Sequence, residues 1–421
     1  MRWNQQFFRW LTTRLPPASE RRIVTLTGAR QVGKTTLARA HWPGLRYVNL
    51  DAIEDREALR AVRTSAWARQ IGPAVLDEVQ KAPQLLDKVK HSYDAGELDF
   101  TALLGSSRIL LMDRIRESLA GRTFVYELYP LMLSELLHVA AGPQPEPPFL
   151  DRLLCAEPAQ LQDLLQGQLP VGLGDSETRR LEALEHLGTW GGMPELTRLD
   201  DNARRDWLRS YQQTFLERDL ADLATLSDLL PFRTLQRLAM LRSGQLLNYA
   251  ELGRDAGVSS ATARRYLEYL RLTYQVVLLQ PYRTNLTSGT VKSPKLYWAD
   301  LGLLRQETRQ WGPLSGALFE TLAVSEVNKW LQLRPDAGRL WFYRTRSGME
   351  VDLLLETERG LLGIEIKARA TVARRDMRGL RGLAGALGDR WLGGLVVTAG
   401  GAITCLEQDQ RLWQVPLHRL I

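Results

Sequence analysis

The chain is 421 residues long, 44% hydrophobic and 24% charged, with a formal net charge of +7. That balance excludes a disordered chain and suits roughly two to four folded domains, while the small basic surplus favours a polyanionic partner such as nucleic acid. No apolar run approaches the ~20 residues that span a bilayer, and the two cysteines, Cys155 and Cys405, exclude a disulfide framework or a cysteine-rich zinc site and fit a reducing cytoplasm.

The opening MRWNQQFFRWLTTRLPP is basic and amphipathic. It lacks the unbroken apolar core and cleavage site of a signal peptide, so a cytoplasmic protein with no membrane partner is expected. Ile23 to Leu26 is a short apolar run that reads as a buried parallel strand. It leads into Gly28, Ala29, Arg30, Gln31, Val32, Gly33, Lys34, Thr35 and Thr36, and then a helix-forming stretch. This is G-x-x-x-x-G-K-T between a strand and a helix, a P-loop. Its glycines turn backbone N–H groups toward phosphate oxygens, and the helix N-terminus adds a favourable dipole. Lys34 is expected at the β/γ-phosphates of ATP, and Thr35 on Mg²⁺.

GPAVLDEVQ, from Gly72 to Gln80, reads as an apolar strand ending in Asp77-Glu78. Asp77 would bind Mg²⁺ through water, and Glu78 would polarise the attacking water. Between the two motifs lies a strand ending at Asp51, then a helix, so strands and helices alternate as in a parallel sheet. A fourth strand, Phe100 to Leu104, runs into Gly105-Ser106-Ser107. Ser106 is either a sensor beside the γ-phosphate or a simple turn serine. Arg122 either reaches a nucleotide, in its own chain or a neighbour's, or is an ordinary surface arginine.

TGARQVGKTTL, LDEVQKAP, LLGSS, SLAGR with YPLMLSEL, WGGMPEL and FLERDL follow one another in this order. In this the chain resembles, over nearly its whole length, a prokaryotic family of AAA-type (AAA+) ATPases with a C-terminal conserved domain of unknown function. The resemblance implies an α/β P-loop AAA+ parallel-sheet ATPase core, a helical lid, a winged helix-turn-helix and a C-terminal α/β nuclease-like domain. The corresponding spans are 1–140 for the core, 141–180 for a loop and helical insertion, 181–230 for the lid, 231–300 for the winged helix and 301–421 for the nuclease-like domain. A homo-oligomer, with a hexamer as the working size, is also expected, because AAA+ sites usually borrow an arginine from a neighbour.

AGPQPEPP at 141–148 breaks regular structure, and Gly191-Gly192 interrupts the helical stretch that follows. Arg218 in that stretch is either a nucleotide sensor or a salt-bridged surface arginine. YAELGRDAGVSSATARRYLEYL, from Tyr249 to Leu270, reads as two short helices around Gly257, with Ser259 or Ser260 as N-cap. The exposed face of the second helix would carry Ser260, Thr262, Arg264 and Arg265 to DNA phosphates and base edges. Docking to a protein and a purely structural role are the alternatives.

GALFETLAVSEVNKWL is an amphipathic helix with Glu320 near its start, and Leu340 to Arg344 is a strand. MEVDLLLETERGLLGIEIKA then reads as a hairpin. Val351, Leu353 and Leu355 are expected on one face, with Asp352 and Leu354 on the other. A two-residue turn at Arg359-Gly360 would set Asp352 opposite Lys367 and diagonal to Glu365. The hairpin resembles a PD-(D/E)XK nuclease, in which Asp352, Glu365 and a helical Glu320 hold Mg²⁺ while Lys367 orients water. A solvated hairpin face and an inert nuclease-like fold are the alternatives. The arginine-rich segment from Arg369 to Arg381 suits a phosphate-facing or a solvated helix.

The functional expectation is an ATP-hydrolysing AAA+ protein that uses Mg²⁺ and acts on DNA. Two rivals stay open: a regulatory switch with an inert C-terminal domain, and a nucleotide-gated defence nuclease.

Overall fold

In the computed structural model the described residues are 6–105, 115, 117–223, 229–283 and 291–421, with 215–223 as backbone only. Among them no helix is long and apolar enough to cross a membrane.

The first sheet is parallel, with β1 (Arg22–Thr27), β2 (Arg46–Asn49), β3 (Ala74–Asp77), β4 (Phe100–Gly105) and β5 (Thr123–Glu127) in the order β2-β3-β4-β1-β5. Ile23, Val24 and Leu26 of β1 are fully buried, as a strand covered on both faces requires. Helix α1 (Lys34–His41) leaves the P-loop and packs Leu37 and Ala38 into the core. Gly28 must be glycine: a Cβ there would lie 2.1 Å from the Leu128 carbonyl oxygen. The N-terminal segment is tied to this core through the buried Glu135, which accepts from the Trp10 backbone N–H at 3.0 Å and pairs with Arg9 at 3.2 Å.

The middle of the chain is helical, with α2 (Gly174–Trp190), α3 (Asp201–Leu223), α4 (Leu230–Leu241), α5 (Tyr249–Asp255) and α6 (Ser260–Leu272). Asn248 caps α5 and Ser259 caps α6, each side chain accepting from backbone N–H groups of the first turn. Gly257 takes a φ of 69° in the turn between them. A small antiparallel sheet follows, β6 (Gln245–Leu246), β7 (Val276–Leu279) and β8 (Lys295–Trp298), in the order β6-β8-β7.

Helices α7 (Leu301–Thr308) and α8 (Gly316–Leu333) lead to the second large sheet. Its strands are β9 (Arg339–Arg344), β10 (Glu350–Thr357), β11 (Gly360–Lys367), β12 (Trp391–Thr398), β13 (Thr404–Glu407) and β14 (Leu412–Pro416), in the order β13-β14-β12-β11-β10-β9. The sheet is mixed, because β11, β12 and β14 are parallel and the remaining pairings antiparallel. Helix α8 covers one face and α9 (Arg378–Leu387) the other. On α8 the fully buried Glu326 accepts from the Leu133 backbone N–H at 2.7 Å, which docks this half onto the ATPase core.

Two expectations for the hairpin are corrected. The turn residues are Glu358 and Arg359, because Thr357 pairs with Gly360 and Leu353 with Ile364. The register therefore differs by two residues from the expected one, and alternation has a period of two, so Glu365 and Lys367 of β11 keep a common face. The second correction concerns Val351. A bulge between Val351 and Leu354 sends both into the cluster under α9, while Leu353 and Leu355 pack toward α8.

Candidate functional site

The P-loop lies at the C-terminal edge of the parallel sheet, beside a cavity of about 630 Å³. The loop side of this cavity is lined by Arg30, Gln31, Gly33, Lys34, Thr35 and Thr36. The Lys34 ammonium is folded back onto its own loop and donates to the carbonyls of Gly28 at 2.9 Å and Ala29 at 2.7 Å. The Thr35 hydroxyl donates to Asp77 Oδ2 at 2.6 Å. The Glu78 backbone N–H donates to Asp77 Oδ1 at 2.9 Å. The Thr35 and Asp77 side chains, 42 positions apart, thus meet because β1 and β3 end at the same edge of one parallel sheet.

Glu78 also lines the cavity, at a left-handed φ of 55°. A non-glycine residue held there is strained, and such strain clusters at functional sites. Burial first, and the neighbouring Asp77 carboxylate second, push the Glu78 carboxyl above its ordinary range. That makes this carboxylate a better proton acceptor than an ordinary glutamate. The Gln80 amide holds it in place, Nε2 donating to Glu78 Oε2 at 2.5 Å.

Several residues here escaped the sequence reading. The Tyr47 hydroxyl donates to Asp77 Oδ2 at 2.8 Å, and burial together with Asp77 keeps that phenol well above its usual range. Arg9 donates to the Val32 carbonyl of the P-loop at 3.0 Å. Phe7, Phe8, Glu195 and Arg198 line the far side of the cavity. Only Gln80 left a local signal, two positions after the acid that it holds.

Other predicted residues fall elsewhere. Ser106 lies outside the described residues, as does the side chain of Arg218. The expectation that Arg122 reaches its own chain's nucleotide is corrected by strand direction. Arg122 precedes β5, whose Thr123 pairs with Ile23 near the start of β1, whereas the P-loop follows the end of β1. Arg122 pairs instead with Asp94 at 2.6 Å. On α6, Ser260, Arg264 and Arg265 are exposed and Thr262 half-buried, and the Arg264 guanidinium stacks 4.4 Å from the Tyr249 ring.

The C-terminal candidates do meet, but as ion pairs. Lys367 Nζ donates to Glu365 Oε1 at 2.6 Å, and the Ile366 backbone N–H donates to Asp352 Oδ2 at 2.8 Å. Glu320 accepts from Tyr297 at 2.7 Å and from Lys295 Nζ at 3.1 Å. Lys295 is also 2.5 Å from Glu350 Oε1 and 3.6 Å from Asp352 Oδ1. Burial alone would lower its pKa, but Asp352, Glu320 and Glu350 outweigh burial and hold it well above the lysine range. Burial, reinforced by Asp352, pushes Glu365 up to about 8 against the opposing Lys367. Among the described residues no three His, Cys, Asp or Glu side chains are arranged to hold a metal ion. The carboxylates expected to hold a metal, Glu320, Asp352 and Glu365, lie in one cluster of ion pairs with Lys295 and Lys367.

The sheet order and P-loop geometry define a P-loop ATPase. An AAA domain model matches residues 20–137, and models of two domains of unknown function, DUF8612 and DUF4143, match residues 181–310 and 315–420. Uncharacterised proteins of Mycobacterium tuberculosis and Mycobacterium bovis are each 31% identical over 369 residues, covering 85% of this chain and 73% of theirs. The chain belongs to this family of AAA-type ATPases with a C-terminal domain of unknown function. An uncharacterised protein of Methanocaldococcus jannaschii is 23% identical over 319 residues, covering 74% of this chain and 64% of its own. A Walker-type ATPase of Pyrococcus abyssi aligns over 71% of this chain and 94% of its own at 16% identity and a TM-score of 0.39, too low to bear on function.

Proposed function

We propose that this protein hydrolyses Mg²⁺-bound ATP at the P-loop and couples that cycle to DNA held by α6. The observation that carries the reading is the pairing of Thr35 Oγ1 with Asp77 Oδ2 at 2.6 Å, with Glu78 facing the same cavity. A hydroxyl and a carboxylate so placed suit a hard cation, which would neutralise charge on the β- and γ-phosphates. Lys34 leaves its loop carbonyls and turns to those phosphates. Glu78, poised to accept a proton, orients the attacking water, and Gln80 keeps its carboxylate in register.

The DNA-facing residues are Ser260, Thr262, Arg264 and Arg265. Support comes from their grouping on the first two turns of a capped helix and from the net charge of +7. Contact through such residues neutralises phosphates, so affinity should fall steeply with salt. The test is ATP hydrolysis by the full chain with duplex, single-stranded, forked and four-way-junction DNA, with Lys34→Ala as control. Stimulation by one structure, lost in Lys34→Ala and weakened in Arg264→Ala with Arg265→Ala, is expected. Hydrolysis that ignores every DNA, with none retained on a gel, overturns the DNA part. Wild-type hydrolysis no faster than that of Lys34→Ala overturns the ATPase part.

A further inference from the structure

The cluster between the small sheet and the C-terminal sheet has a feature that the hairpin sequence does not contain. Lys295 is the first residue of β8, and its side chain is 3% exposed. Its ammonium lies within 3.6 Å of three carboxylates from two elements: Glu320 of α8, and Glu350 and Asp352 of β10. Tyr297, two positions on and on the same face of β8, donates to the Glu320 oxygen that Lys295 also contacts. Arg344 takes the other oxygen of Glu350 at 3.1 Å. Lys367 takes Glu365 Oε1 at 2.6 Å and the Ile366 carbonyl at 3.1 Å.

We propose that Lys295 serves as the built-in cation of this acidic cluster, so that the C-terminal sheet holds no catalytic divalent metal and the cluster instead clamps the small sheet to it. This inference stands apart from the ATPase and DNA readings. Magnesium keeps several waters and needs one or two protein carboxylates, but here each of the four carboxylates is already engaged: Glu320 Oε1 by Lys295 and Tyr297, Glu350 by Lys295 and Arg344, Asp352 Oδ2 by the Ile366 N–H and Glu365 Oε1 by Lys367. Glu365 Oε2 is buried without a hydrogen-bond partner, and Asp352 Oδ1 lies 3.6 Å from the Lys295 ammonium. Admitting a divalent ion would bring it against the Lys295 ammonium among shared carboxylates. The displaced ammonium, buried and held on a sheet strand, would then lose its counterions, which is strongly unfavourable. The clamp acts where β7 and β9 already touch: the Tyr282 backbone N–H donates to the Phe342 carbonyl at 2.7 Å and Phe342 N–H to Gln280 at 3.1 Å.

The experiment uses the full chain without nucleotide and Mn²⁺ as the probe. Binding is followed by electron paramagnetic resonance and thermal unfolding by fluorescence. Wild type should show no Mn²⁺ site that Asp352→Asn removes, and no Mn²⁺-dependent DNA cleavage. Lys295→Ala should unfold several degrees lower, and Mn²⁺ should recover part of that loss, with no recovery when Asp352→Asn is added. A wild-type Mn²⁺ site abolished by Asp352→Asn, or cleavage abolished by it, overturns the proposal. So does Lys295→Ala that unfolds at the wild-type temperature. If Lys295→Ala does not fold, the wild-type measurement decides alone.

Discussion

The Tyr274 hydroxyl lies 3.1 Å from the Thr27 hydroxyl, joining the segment after α6 to the last residue of β1. Gly28, the first P-loop residue, is next in the chain. Tyr274 is held at a φ of 64° and packs edge-on against Tyr129. Under the DNA reading proposed above, a shift of α6 therefore has a short, buried route to the phosphate loop.

Tyr274→Phe removes that hydroxyl and leaves the ring packing intact, a loss of about 1 kcal/mol. Basal ATP hydrolysis should stay within about twofold, while the increment produced by DNA should largely disappear. Steady-state hydrolysis at saturating and zero DNA measures both. An unchanged increment would exclude this route.

Glu78→Gln keeps the size of the side chain and removes the proton acceptor. Turnover should drop about 10²–10⁴-fold with ATP binding retained. Tyr47→Phe removes one of the donors to Asp77, and its effect should be milder, a rise of about fivefold in the Mg²⁺ needed for half-maximal rate. Equilibrium binding of a fluorescent ATP analogue separates these two variants. Equal loss of binding in both would place Glu78 in ground-state binding instead.

Burial first, and the Asp352 carboxylate second, push the Glu365 carboxyl from its ordinary 4.5 up to about 8. The folded state therefore binds the extra proton, and this group's contribution is full below about 4.5 and lost as pH rises through about 8. Chemical denaturation between these limits should find wild type losing stability with rising pH more steeply than Glu365→Gln. Parallel curves for the two proteins would show that the group does not titrate in that window.

Gly302 at the start of α7 touches another backbone: a Cβ there would lie 1.8 Å from the Trp190 carbonyl oxygen. Next to it, Asp300 accepts from the Gly192 N–H at 2.8 Å, so the turn after α2 is seated on α7. Gly302→Ala should destabilise by about 1–3 kcal/mol despite alanine's better helix propensity. A thermal midpoint at or above that of wild type would mean that this seat opens readily.

The amino-acid sequence by itself determined the P-loop, because eight consecutive residues build it and the flanking strand and helix are local patterns. It also brought Asp77 to the site, since parallel strands present their C-terminal ends at one edge. The common face of Glu365 and Lys367 was legible too, because period-two alternation along β11 survives a two-residue error in register. The turn position and the Val351 bulge were not, since both depend on β9 and on the packing of α8 and α9. Tyr47, Tyr274 and Lys295 were decided only by the tertiary structure. Each meets its partner across 25 to 247 positions of chain, and no local periodicity encodes which buried strands become neighbours. Lys295 carries the largest consequence, because a strand of the small sheet delivers its cation to three carboxylates of α8 and β10.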